Sequence, residues 1–166
     1  NAMAIVREIC AKLSEIDPAN ADYYKSNEES YLKSLELLDT EIRATVASAQ
    51  YKKIVMCDRF AMLYFCEEYG LEYIAALDAC TSNTEPSPAV IVEITKAVEE
   101  NNIPAVFCAE LSNRKVAEAV AQQTGAGVLE LHSCHNLSAD DFSAGETYLS
   151  LMKKNAENLR VALGVK

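Results

Sequence analysis

Lys53-Ile54-Val55-Met56-Cys57-Asp58-Arg59 is the stretch on which the fold turns. Four apolar residues run together between charged ends. That length is too short for a helix and suits a strand buried on both faces. Downstream the pattern alternates. Residues 60–69 read as an amphipathic helix stopped by Gly70. Residues 73–77 form a second strand. Ser87-Pro88 caps and opens a helix running to about residue 101. Residues 105–108 are a third strand, and Ser112 caps a helix closed by Gly125. Residues 128–131 are a fourth strand. Ser138 starts a last helix to about residue 163, with Asp141 placed three residues on for a capping box. Strand and helix at this rhythm predict an α/β fold, a three-layer sandwich whose four-stranded parallel sheet carries helices on both faces.

Upstream the chain is helical. Residues 4–15 are apolar-rich and end at Asp17-Pro18, an N-cap followed by proline in the first turn. No glycine or proline then occurs up to Gln50. Tyr24, Tyr31, Leu35, Leu38, Ile42 and Val46 recur on one helical face. A helix of some 30 residues is about 45 Å long, more than a small domain needs. It is either an overhanging core helix or a strut between two lobes. Residues 4–50 are thus a helical segment and residues 51–166 an α/β lobe. Asn1-Ala2-Met3 reads as an expression-tag scar ahead of a chosen start.

The 166 residues carry 15 basic and 25 acidic side chains, a net charge of -10. That balance argues against nucleic acid as a partner, which needs a basic stripe. No apolar run reaches the roughly 20 residues of a membrane span. Six cysteines are few for a disulfide scaffold, and none forms a CxxC pair. GxGxxG, Walker and GxSxG patterns are missing.

In an open parallel sheet, ligands bind beyond the carboxyl ends of the strands. Cys57, Asp58 and Arg59 follow the first strand, and Asp78, Cys80 and Glu85 the second. Glu110 follows the third, and His132, Cys134 and His135 the fourth. Carboxylates, imidazoles and thiols on one edge are the groups that bind zinc and its neighbours. Each has a plainer reading. The His132-Ser-Cys-His135 loop can bond its own backbone, and Cys57 and Cys108 can be small core residues. Cys80 and Cys134 can form a disulfide in an exported protein, ligate metal, or do neither. Arg59 can pair with Asp58, Glu85 or Glu110. Cys134 flanked by two histidines can be imagined as a nucleophile, although neighbours in one loop rarely reach catalytic geometry.

Four further stretches carry a resemblance. They are Asp17-Pro18-Ala19-Asn20-Ala21-Asp22-Tyr23-Tyr24, Tyr64-Phe65 before Tyr69-Gly70-Leu71, Thr84-Glu85-Pro86-Ser87-Pro88, and Thr147-Tyr148-Leu149 before Met152 and Asn155. In order and spacing they resemble the zinc/manganese substrate-binding proteins of ABC transporters, also called adhesion lipoproteins. The resemblance covers about residues 4–163. It implies the inter-lobe helix and C-terminal lobe of a two-lobe protein that is not an enzyme. It also implies, as partners, a missing N-terminal lobe and a membrane permease. Zn²⁺ or Mn²⁺ would be carried as the transported solute, held weakly or not at all by the isolated lobe. The full-length protein would be an extracellular or periplasmic, membrane-anchored lipoprotein.

The resemblance also implies two ligand positions in this lobe. One falls on Arg59, which as an arginine cannot ligate a cation. Asp58 beside it can take over. The other falls on His132, a sound ligand. His135 comes next, then Glu110, Glu85 and Cys134. Two rival readings are a small α/β enzyme using the His132–His135 loop and a binding module for a non-metal ligand through Arg59.

Overall fold

The computed structural model describes residues 1–78 and 85–165. Cys80, and with it the suggested Cys80–Cys134 bond, lies outside the described residues. The chain divides into two compact units, Asn1–Glu41 and Ile42–Lys166. The division falls inside a helix and earlier than the expected boundary at residue 50.

The first unit holds helix α1 (Ala2–Ile16), a 3₁₀ turn (Pro18–Asn20) and most of helix α2 (Ala21–Ala47). The Asp17 side chain does not cap a backbone N–H as expected. It accepts from the Asn20 amide at 2.7 Å and the Tyr24 hydroxyl at 2.8 Å instead. Those bonds, Asn20's first, hold its carboxyl below the usual range.

The second unit is the α/β lobe. Strands β1 (Lys53–Arg59), β2 (Glu72–Leu77), β3 (Ala105–Cys108) and β4 (Gly127–Glu130) form one sheet in the order β2-β1-β3-β4. All three pairings are parallel. Val55 faces Ile74, Met56 faces Phe107, and Phe107 faces Leu129. The alternation of side chains splits the core into two layers. Val55, Cys57, Val106 and Cys108 pack with Ile94 and Val98 of helix α4 (Pro88–Glu100) and Ala117 and Val120 of helix α5 (Lys115–Thr124). Ile54, Met56 and Phe107 point to the other face and are also fully buried. Helix α7 (Tyr148–Ala162) lies against β3 and β4 and buries Leu151, Met152, Ala156 and Leu159 on one stripe.

The elements match the sequence expectation with local differences. β1 runs on through Asp58 to Arg59, with its register against β2 shifting between Met56 and Arg59. Helix α3 (Leu63–Tyr69) therefore starts later than residue 60. Phe60 instead stacks on Tyr73 with centroids 3.8 Å apart, and its N–H donates to Leu77 O at 3.0 Å. Ser112 does not cap α5. Its hydroxyl accepts from the Arg114 N–H at 3.2 Å, and the helix begins only at Lys115.

The expected last helix is two. Helix α6 (Ala139–Ser143) is capped by Ser138, which accepts from the Asp141 N–H at 3.0 Å. Gly145 at φ 75 then breaks the chain. Thr147 and Ser150 restart it as α7 with a capping box. Among the described residues no helix is long and apolar enough to cross a membrane.

Candidate functional site

The strand order reverses between β1 and β3, because β2 lies to one side and β3 and β4 to the other. Crevices at such switch points are where open α/β sheets take ligands. The residues leaving the carboxyl ends there fall into two groups.

The first group is the turn after β4. Leu131 N–H makes the last ladder bond, to Cys108 O at 2.9 Å. His132 follows and is 2% exposed. Its N–H donates to Asn155 Oδ1 at 2.8 Å, and its carbonyl accepts from Asn155 Nδ2 at 2.8 Å. Glu110, beyond β3, accepts from the Ser133 N–H at 2.8 Å and from the Ser133 hydroxyl. The Ser133 hydroxyl oxygen accepts in turn from the His135 N–H at 3.2 Å. Cys134 sits at φ 60, an uncommon conformation for a residue with a side chain. That turn brings its N–H to His132 Nδ1 at 2.9 Å. Nδ1 is therefore an acceptor, and the neutral ring carries its proton on Nε2. Nε2 is buried without a hydrogen-bond partner.

A buried polar nitrogen left unpaired costs free energy, and a water or an ion at Nε2 would relieve it. Cys134 Sγ lies 3.9 Å from His132 O, and the ring accepts from the Cys134 backbone rather than from its thiol. Burial, and then the charge of Glu110, push that thiol up to about 11. The arrangement lacks the nucleophile–base hydrogen bond that a catalytic cysteine needs.

The second group is at the ends of β1 and β2. Asp58 Oδ1 accepts from the Arg59 N–H at 2.7 Å. Asp58 and Glu85 share a cavity of about 470 Å³ that Cys57, Leu111, Asn113 and Lys115 also line. Neither His132 nor Glu110 lines it. Among the described residues no three of the histidines, cysteines and carboxylates come together to hold an ion. Asp58 and Glu85 line this cavity, while His132, Cys134 and Glu110 are linked in the turn after β4, with His135 exposed on the same turn.

Asn155 and Ser133 hold this turn and were not among the candidates. The one local signal for Asn155 was a polar residue on an otherwise apolar helix stripe.

The profile of the ZnuA family, the zinc-uptake complex component A, periplasmic, matches residues 1–162. The chain belongs to this family. Among ZnuA-family relatives, the high-affinity zinc uptake system protein ZnuA of Bacillus subtilis is 30% identical over 161 residues. The match covers 97% of this chain and 50% of the relative. Zinc-binding protein AdcA of Streptococcus pyogenes is 29% identical over 164 residues, 99% of this chain and 32% of AdcA.

Solved structures agree. The metal-dependent lipoprotein YcdH of Bacillus subtilis superposes with a TM-score of 0.83 at 29% identity, covering 98% of this chain and 61% of that one. The Zn(II)-bound ZnuA-like domain of Streptococcus pneumoniae AdcA gives 0.79 at 27% identity, covering 98% and 60%. The chain spans half the length of its Bacillus subtilis relative and less of the streptococcal one.

Proposed function

We propose that this chain is one lobe of a two-lobe solute-binding protein that captures Zn²⁺ outside the cell and hands it to an ABC transporter permease. Family membership supports the role, and the share of each relative that is matched supports the missing lobe. The observation that carries the site is the buried, unpartnered Nε2 of His132 at the sheet's carboxyl edge. Mn²⁺ is the second choice of cargo, since imidazole and carboxylate groups can hold it as well. We place α2 as the strut between the lobes. The full-length protein is extracellular or periplasmic and lipid-anchored, as the name lipoprotein on a relative suggests.

His132 is the first ligand in this reading and His135 the second. Glu110 is the less suited, because both its carboxylate oxygens already serve Ser133. Asp58 enters through the neighbouring cavity, ahead of Glu85, and Arg59 is not a ligand. Cys134 holds its proton and ligates only if the ion removes it.

Ligation through Nε2 has a mechanical consequence. The ring proton must move from Nε2 to Nδ1, or Nδ1 would face the Cys134 N–H as part of an imidazolate. A protonated Nδ1 repels that N–H. The Cys134 peptide therefore turns away when the ion arrives, and its φ of 60 relaxes. Selection rests on closure of two lobes, so the single lobe offers an incomplete shell and weak binding.

The test is calorimetric titration with Zn²⁺ and Mn²⁺. Tight binding by the full-length protein and much weaker binding by the 166-residue chain are expected. A full-length protein indifferent to both ions overturns the reading.

A further inference from the structure

Asn155 stands where the pattern of α7 asks for a hydrocarbon. Its neighbours on the buried stripe are Leu151, Met152, Ala156 and Leu159, and it is itself 1% exposed. Asparagine is a poor helix former, and burying its amide is costly unless each polar atom is paired. Here each is. Oδ1 accepts from the His132 N–H, and Nδ2 donates to the His132 carbonyl, both at 2.8 Å. Nδ2 also reaches Met152 Sδ at 3.4 Å.

The two bonds to one residue copy what a neighbouring strand supplies. β3 ends at Cys108, whose carbonyl takes the last ladder bond from Leu131. One residue later Asn155 takes the strand's place. With the His132 backbone held from behind and the Cys134 N–H on Nδ1, the imidazole has one orientation and Nε2 is the nitrogen left over.

We infer that Asn155 is a positioning residue for the cargo, which, resting on the zinc reading of the site, presents His132 Nε2 to the ion without touching the ion. The clamp uses main-chain groups of His132 alone, so it persists while the ring proton changes nitrogen and the Cys134 peptide moves. It fixes the His132 end of the turn. Residues that orient a metal-binding imidazole from behind typically change metal affinity by about 10- to 100-fold when replaced.

Asn155→Asp keeps the size and the acceptor but sets a second acceptor against the His132 carbonyl. In the full-length protein it is expected to weaken Zn²⁺ binding by about 10- to 100-fold by calorimetry. Leu159→Val, one turn along the same stripe, is expected to lower the melting temperature and leave Zn²⁺ affinity unchanged. In the zinc-free 166-residue chain, ¹⁵N spectra of His132 are expected to show the Nε2–H tautomer in the parent and a mixture of tautomers in Asn155→Asp.

Unchanged affinity in Asn155→Asp overturns the inference. So does an affinity loss that Leu159→Val reproduces at an equal fall in melting temperature. If the parent full-length protein does not bind Zn²⁺, the zinc reading falls by itself. The imidazole spectra then still decide the clamp, and one unaltered tautomer in Asn155→Asp overturns it. Should Asn155→Asp not fold, Asn155→Ser takes its place in both measurements.

Discussion

The turn after β4 and the end of β1 are held in opposite ways. In the β4 turn, local bonds from the Cys134 and His135 N–H groups are joined by bonds from elsewhere in the chain. Asn155 reaches His132 from α7, and Glu110 reaches Ser133 from beyond β3, each across 23 residues of sequence. At the end of β1, Asp58 bonds the N–H of the very next residue and faces a cavity of about 470 Å³. A cross-linked turn fixes its side chains before a ligand arrives, so less ordering is left to oppose binding.

The largest effect should come from removing the clamp. Asn155→Leu preserves the apolar stripe but leaves two main-chain groups of His132 buried and unpaired. A loss of roughly 3 kcal/mol in urea unfolding is expected, at about 1–3 kcal/mol for each group. A loss below about 1 kcal/mol would mean that the turn does not depend on it.

Next is the thiol in the same turn. A Cys134 held at about 11 has about a hundredfold less thiolate at pH 8 than a free cysteine, so peptide-resolved alkylation should be slower by a similar factor. The sign of the linked stability follows. The native thiol binds its proton more tightly than the unfolded one. The contribution is therefore complete below pH 9 and is lost as pH rises from 9 towards 11. Melting temperatures that hold level across that window would contradict the burial of Cys134.

Glu110→Ala should follow, costing about 2 kcal/mol by removing two bonds to Ser133, one of them to its backbone N–H. Asp58→Asn should be smallest, within about 0.5 kcal/mol of the parent, because its hydrogen bond among the described residues is to the N–H of the next residue. If Asp58→Asn costs as much as Glu110→Ala, the two regions are not held differently and the comparison fails.

Most of the fold was legible because its signals are local. The apolar run at residues 54–57 marks β1 by itself. Ser87-Pro88 opens α4 as expected, with the Ser87 hydroxyl accepting from the Val90 N–H at 3.4 Å. Gly70 and Gly125 close helices α3 and α5 in the left-handed conformation. Local reading faltered where two local structures compete. Ser112 bonds an N–H two residues on, which looks in sequence like a helix cap and is a turn. Gly145 separates α6 from α7, and a lone glycine inside a helical pattern does not by itself announce a break.

The site was half legible. Its residue types could be collected from the ends of the strands, His132 among them. Which of them share a cavity and which share a turn could not be read that way, because that depends on contacts between residues distant in sequence. Asn155 was legible as a motif residue and not as part of the site, since nothing in α7 itself says what lies behind the helix.

The measurement that bears most directly on the account compares His132→Ala with Asp58→Ala in the full-length protein by Zn²⁺ calorimetry, with the melting temperature as a check on folding. The account predicts that His132→Ala lowers Zn²⁺ affinity at least about 100-fold, the usual weight of a lost ligand being at least that of its supporting residues, while Asp58→Ala lowers it less. Parent-like affinity in His132→Ala, with the fold intact, would contradict the claim that the turn after β4 holds the cargo.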